Sequence, residues 1–98
     1  MKTQVCVAQR VRDFLHTLAP APRRALWQAI KALERDEGDI KPMEGKLSGW
    51  SRLRVTGYRV LFKETAAGGI RKINCVFAER RGVVYEMFAE LLAGELME

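Results

Sequence analysis

With 98 residues, 48% of them hydrophobic and 30% charged, the chain has the composition of an ordinary folded protein and enough length for one core. We therefore expect residues 1–98 to form a single domain. The formal net charge is +5, and no apolar run approaches the length of a bilayer-spanning helix, which predicts no membrane contact. Charges recur throughout MKTQVCVAQRVRDF, where a secretory signal needs an unbroken apolar run, so we expect a cytoplasmic protein.

The cysteine and histidine content argues against a metal centre. Cys6 and Cys75 form no CxxC pair, and His16, the single histidine, has no partners at zinc spacing. Both cysteines lie in apolar, strand-like runs, where a thiol usually serves as a small buried hydrophobe. The sequence predicts neither a metal nor another cofactor.

The N-terminal half has the pattern of one strand followed by two helices. TQVCVA (3–8) predicts a strand, and an apolar stripe at helical spacing follows it. The prolines of APAP (19–22) end this first helix and can open the second. The second helix carries Trp27 on its apolar face, which favours a packing role for that indole. We expect the two helices to form an antiparallel hairpin packed against a sheet.

The C-terminal half predicts a meander of three strands at about 50–55, 57–65 and 70–78. The segment IKPMEGKLSG (40–49) reads as a connection, and Thr56-Gly57 and AAGG (66–69) supply the turns. Helical periodicity in GVVYEMFAELLAGELME predicts a terminal helix. Together these elements predict an α+β fold with an N-terminal strand, a helical hairpin, an antiparallel meander that completes a four-stranded sheet, and a C-terminal helix.

The positive charge is concentrated in one part of the chain. Residues 46–81 contain nine basic and two acidic residues, a net charge of +7, whereas the other 62 residues carry eight basic and ten acidic residues, a net charge of −2. Such a concentration is typical of a surface that binds a polyanion.

Strand alternation directs much of this charge to one side of the sheet. If Leu53, Val55, Val60 and Phe62 face the helices, the side chains on the other face share a common role as candidate ligand-binding groups. They are Trp50, Arg52, Arg54, Arg59 and Lys63. We expect them to lie together on one open face of the sheet.

The order of these elements resembles the RelE/ParE superfamily of toxins from type II toxin–antitoxin systems, and more closely its RelE branch. The resemblance rests on KLSG (46–49), WSRLRV, GYRVLF and AERRGVVYEMF. It implies the RelE-like (microbial RNase-like) fold, a cognate antitoxin as partner in a hetero-oligomer, and cleavage of mRNA in the A site of the ribosome without a metal. A protein of this kind is an endoribonuclease, or mRNA interferase.

The residue types suit that chemistry. Metal-free RNA cleavage needs a base for the 2′-OH, positive charge on the phosphate and an acid for the leaving 5′-oxygen. Guanidinium groups suit the phosphate, since they stay charged and present a fork of donors. We therefore predict Arg59, with Arg80 or Arg81, as phosphate clamps, supported by Arg52 and Arg54. The resemblance implies that Tyr85 acts in proton transfer.

Further residues complete the predicted substrate surface. Lys46 and Lys63 add positive charge, and Trp50 could stack on a nucleobase. RelE itself has lysines at two positions where this chain has Trp50 and Arg52, which leaves the general base open. The choice between Arg80 and Arg81 is also open.

Other interpretations fit the same residues. Arg52 and Arg54 could pair with acids on a solvated face, Trp50 could be a packing residue, and Tyr85 a half-buried aromatic at a helix start. The alternative functions are a ParE-like inhibitor that binds DNA gyrase without catalysis, and an inactive module that retains antitoxin binding.

Overall fold

A computed structural model describes residues 2–96 of the chain, with side chains through residue 94. The helices are α1 (Gln9–His16), α2 (Pro20–Ala32) and α3 (Val84–Leu96), and two 3₁₀ turns span Leu33–Arg35 and Gly45–Leu47. The strands are β1 (Lys2–Val7), β2 (Asp39–Pro42), β3 (Ser51–Val55), β4 (Tyr58–Ala67) and β5 (Ile70–Arg80). The α+β class predicted from the sequence is confirmed.

The strands form one sheet in the order β1-β5-β4-β3-β2. β1 is parallel to β5, and the other neighbours are antiparallel. The sheet has five strands where the sequence predicted four, because part of the expected connection pairs with β3, from Asp39 opposite Arg54 to Pro42 opposite Ser51. This strand has only four residues and ends in a proline, which is tolerated at a sheet edge but gives no strand signal.

The main core lies between the helical hairpin and one face of the sheet. Its members are buried apolar side chains from both helices and from three strands: Val11, Leu15, Leu26, Ile30, Leu53, Val60, Phe62 and Ile73. They follow the 3.6-residue and two-residue periodicities that the sequence showed. This face of the sheet is closed to solvent.

Arg23 fastens the helical hairpin. Its guanidinium donates hydrogen bonds to the carbonyl oxygens of Leu15 (3.1 Å), His16 (3.2 Å) and Leu18 (2.8 Å). The last carbonyls of a helix have no partner within the helix, so a basic side chain stabilises them. Arg23 therefore joins the start of α2 to the end of α1.

The second face of the sheet is covered in part by α3. A β-bulge between Leu61 and Phe62 of β4 lies opposite Val76, so that both Val76 and Phe77 pack toward α3. Leu61, Val84 and Phe88 are the buried centre of this smaller cluster. The expectation of a wholly open face was wrong, because Leu61 and Phe77 form an apolar stripe between the charged positions that needs cover.

No helix within residues 2–96 is long and apolar enough to cross a membrane.

Candidate functional site

Three arginines occupy adjoining positions on the α3 side of β3 and β4. Arg54 lies directly opposite Arg59 in the antiparallel pair, and Arg52 lies opposite Leu61, diagonal to Arg59. Two like charges directly opposite each other destabilise a sheet by up to about 1 kcal/mol. Asp39 on β2 and Glu79 on β5, directly opposite Arg54 and Arg59, offset part of this cost, and the remaining positive charge is suited to an anion placed over the strands. These three residues are called the arginine block below.

Arg59 is held against the β3–β4 turn. Among the described residues, Arg59 is the only charged residue that is buried, at 8% exposure. Its Nη1 donates to the carbonyl oxygens of Thr56 (3.0 Å) and Tyr58 (2.8 Å). Thr56 has a φ of 51°, in the left-handed region that a β-branched residue rarely adopts. The turn and the guanidinium therefore support each other, and Arg59 has a fixed position.

Arg52 and Arg54 share one carboxylate. Asp39, at the start of β2, has Oδ1 3.5 Å from Arg52 Nη1 and Oδ2 4.0 Å from Arg54 Nε. Arg52 also donates to the Asp39 carbonyl oxygen at 3.4 Å. These are long contacts at a partly exposed carboxylate, so a phosphate could compete with Asp39 for both guanidinium groups.

Tyr85 meets Arg52 in a groove at the N-terminal end of α3. The groove has a volume of about 300 Å³ and is lined by side chains from β2, β3, α3 and the loop after β2: Lys41, Pro42, Met43, Glu44, Arg52 and Tyr85. Tyr85 lies in the first turn of α3, and its ring packs partly against the apolar cluster beneath the helix. The phenol and Arg52, one member of the arginine block, thus border one concave surface.

Two groove residues, Lys41 and Glu44, escaped the sequence analysis. Lys41 lies on β2 directly opposite Arg52, which adds a fourth cation to this face. Glu44 is the one acid among the described residues that line the groove. Both lie in the segment interpreted as a connection. The signal that could have found them was the KPME sequence just before KLSG, which places a base and an acid close to the arginine strand.

The structure separates Trp50, Lys63 and Lys46 from the arginine block. The Trp50 ring meets Phe88 edge-on at 5.0 Å, and Lys63 Nζ lies 5.1 Å from the same indole. Lys46 borders a different hollow, beside Leu92 of α3. Because Leu61 and its α3 cover lie between Lys63 and Arg59, these three residues do not line the Tyr85 groove. Their predicted substrate contacts stay predictions.

Arg80 and Arg81 diverge at the end of β5. Arg80 is paired with Tyr58 and lies 5.9 Å from that ring, on the face occupied by the helical hairpin. Arg81 follows the strand in a turn, and its backbone N–H donates to the Gly57 carbonyl at 2.9 Å. Because Arg80 lies on the face opposite the arginine block, Arg81 is the better candidate for the second phosphate clamp, a role that remains a prediction for both.

The groove offers the groups that phosphate-ester chemistry at neutral pH requires. The guanidinium groups and Lys41 supply positive charge, the Tyr85 phenol is a proton donor, and the Glu44 carboxylate is a proton acceptor. Among residues 2–96, no group of three or more His, Cys, Asp or Glu side chains is placed to hold a metal ion.

Comparison with solved structures identifies the architecture. The chain is similar to a YoeB/ParE toxin from Agrobacterium tumefaciens, with a TM-score of 0.64, 14% identity, and coverage of 83% of this chain and 99% of the other. It is also similar to the toxin–antitoxin complex RelBE2 from Mycobacterium tuberculosis (TM-score 0.64, 25% identity, coverage 80% and 90%). The RelE–RelB complex from the archaeon Pyrococcus horikoshii gives a TM-score of 0.63, 26% identity, and coverage of 84% and 98%. No protein-family model and no curated protein sequence matches the chain.

Proposed function

We propose that this chain, a member of the RelE/ParE superfamily of toxin proteins, is the toxin of a toxin–antitoxin module and an endoribonuclease that cleaves mRNA on the ribosome. Residues 1–98 would form one toxin domain that works in the cytoplasm, where ribosomes translate. Cleavage would proceed without a metal ion.

The observation that carries the proposal is that Arg52, a member of the arginine block, lines the same groove as Tyr85. Arg54 and Arg59 are directly opposite each other, and Arg52 joins them while lining the groove of Tyr85. A dianionic phosphorane would be attracted to both guanidinium groups. The like-charge pair would then stabilise the transition state. A surface used only for docking would not need a proton donor at the edge of its cations.

The groove suggests a complete proton path. The Glu44 carboxylate accepts the 2′-OH proton as the 2′-oxygen attacks phosphorus, and the guanidinium groups hold the two non-bridging oxygens. The P–O5′ bond then breaks, and the Tyr85 phenol gives its proton to the departing oxygen. The products are a 2′,3′-cyclic phosphate and a free 5′-hydroxyl. Glu44 would thus be the general base that was left open when Trp50 and Arg52 were found at the positions where RelE has lysines.

An antitoxin partner is part of the proposal. Two of the similar solved structures are toxin–antitoxin complexes, which supports a partner protein for this chain. Antitoxins are commonly acidic, extended chains, so we expect the partner to shield the arginine block in a hetero-oligomer. RNA affinity that is unchanged by the bound partner would contradict this part of the proposal.

The test is cleavage of an mRNA in purified, programmed ribosomes, with the ends mapped by primer extension. Tyr85→Phe removes one oxygen and keeps the ring that packs under α3, so we expect cleavage to slow by about 10²–10⁴-fold without loss of folding. Glu44→Gln should slow it by a similar factor. Arg59→Ala is a less clean variant, because Arg59 also supports the β3–β4 turn.

A modified substrate separates the two roles. In an mRNA with sulfur at the 5′-bridging position, the leaving group needs no proton, so Tyr85→Phe should regain most of its rate and Glu44→Gln should not. Full activity of both variants on ordinary mRNA would exclude this mechanism. Intact transcripts together with DNA damage signalling in cells would replace it with a gyrase inhibitor.

A further inference from the structure

A second basic surface lies on the hairpin side of the sheet, remote from the arginine block. It is a groove of about 670 Å³ along one stripe of α2, lined by Pro20, Arg23, Arg24, Trp27, Gln28 and Lys31. Arg12 of α1 extends it by placing its guanidinium 5.4 Å from the centre of the Trp27 ring. These residues are called the hairpin groove below. Charge counting along the sequence hid it, because acids elsewhere in the N-terminal half offset its bases.

The cations of the hairpin groove lack carboxylate partners. Arg12, Arg24 and Lys31 form no ion pair within the described part of the chain. Elsewhere arginines are matched with acids, as Arg71 is with Asp36 at 2.6 Å and Arg35 with Glu37 at 2.6 Å. No acid lines the hairpin groove, so its positive potential is available to an external anion.

Trp27 gives the groove an aromatic centre. The indole is only partly buried, so the core role expected from the sequence accounts for part of the ring, and Arg12 covers part of what remains. A guanidinium stacked on an aromatic ring is held flat with its N–H groups directed outward. Cations around an aromatic platform are the combination that single-stranded nucleic acids use, through phosphates and base stacking.

We infer that the hairpin groove binds the sugar–phosphate backbone of an RNA strand, on the opposite side of the sheet from the arginine block. An acidic protein helix is the competing occupant, but an amphipathic helix needs an apolar anchor strip. Here Pro20 and Trp27 are the only apolar residues among those described that line the groove, against three cations and one amide. RNA binding at this groove does not depend on the nuclease proposal.

The test measures the salt dependence of affinity for a labelled, 2′-O-methylated RNA of mixed sequence, which cannot be cleaved, by fluorescence anisotropy. Each phosphate contact on a single strand contributes about 0.7 to the slope of log K against log salt. The double variant Arg24→Glu/Lys31→Glu should lose about 1.4 from that slope and bind at least tenfold more weakly. Arg35→Glu/Lys72→Glu, with the same change in net charge at two residues that do not line the groove, should keep the wild-type slope.

A second readout needs no charge change. Trp27 and Trp50 are the two tryptophans of the chain, so Trp50→Phe leaves Trp27 as the single reporter. RNA should then change the Trp27 emission with the midpoint seen by anisotropy. An unchanged slope in Arg24→Glu/Lys31→Glu with unchanged Trp27 emission would overturn the inference. Polyglutamate that binds in a manner sensitive to Arg24→Glu/Lys31→Glu, where RNA does not, would assign the groove to an acidic protein instead.

Because the RNA cannot be cleaved, the outcome is independent of the proposed function. A protein without nuclease activity can still show the predicted slope, and an active nuclease can still fail to show it. Circular dichroism melting of each double variant confirms that the comparison is made between folded proteins.

Discussion

The two faces of the sheet differ in what they do for the molecule. The hairpin side is a continuous apolar core built from two helices and three strands. The α3 side has a small apolar cluster beside a block of arginines, with two cations directly opposite each other. The first face is organised for stability, whereas the second carries a like-charge pair that Asp39 and Glu79 offset in part and that a bound anion would stabilise further.

The largest expected effect on this difference between the faces comes from replacing one buried phenylalanine on each face with alanine. Phe62 faces the hairpin and Phe88 belongs to α3, and each is 2% exposed. We expect Phe62→Ala to lower the free energy of unfolding by about 3–5 kcal/mol. Phe88→Ala should cost less, because α3 can shift on the sheet to refill the space. Urea denaturation measures both, and equal losses would contradict the contrast.

A milder change tests whether the arginine block serves function more than stability. Arg54→Gln removes one member of the like-charge pair while keeping a polar side chain. We expect the free energy of unfolding to stay within about 0.5 kcal/mol of the wild type, since the lost contact to Asp39 is weak and exposed. Cleavage should fall by about tenfold or more. Thermal melts and the ribosome assay check the two parts, and a large loss of stability would show a structural role.

Acid stability should depend on a network that lies outside both candidate sites. Arg71 bonds to Asp36 and Glu64, and its hydrogen bond holds the pKa of Asp36 below the usual value. The stabilisation is present above the ordinary aspartate pKa and is lost as pH falls through the lowered one. Asp36→Asn, which tolerates the left-handed backbone at φ 56°, should reduce Tm at pH 7 and lose that difference near pH 2. A constant difference at both pH values would contradict the assignment.

The smallest expected effect concerns the two thiols. Burial raises the pKa of Cys75 to about 12, whereas Cys6 is only partly buried. Alkylation proceeds through the thiolate, so iodoacetamide at pH 8 should modify Cys6 well before Cys75 in the native protein. Mass spectrometry of the digested protein gives the order. Rapid labelling of Cys75 would mean that the hairpin face opens readily.

The sequence predicted most of the fold because periodicity reports burial directly. The helices, four of the strands and the shared face of Arg52, Arg54 and Arg59 followed from it. It missed β2, because those four residues include few strong strand formers and show no clear alternation. With β2 it also missed Lys41 and Glu44. It could not show that α3 crosses the charged face, since alternation does not say which apolar stripe a terminal helix covers.

The hairpin groove escaped notice for a different reason. Its cations are spread over α1 and α2, and only the packing of those helices brings Arg12 to the Trp27 ring. The acids that offset them in a count along the chain are Asp13 of α1 and the residues that follow α2, from Glu34 to Glu44. A count of charges along the chain is therefore close to neutral, although the folded surface separates the basic residues from the acidic ones.

The parallel pairing of β1 with β5 sets the order of events during synthesis. β5 lies between β1 and β4, yet it is the last strand to leave the ribosome. Until about residue 80 has emerged, the hairpin has no complete sheet to pack against, and the arginine block lacks the strand that carries Glu79. A nascent chain thus cannot complete the sheet beneath its candidate site until β5 has been translated, well after the strands that carry the arginine block.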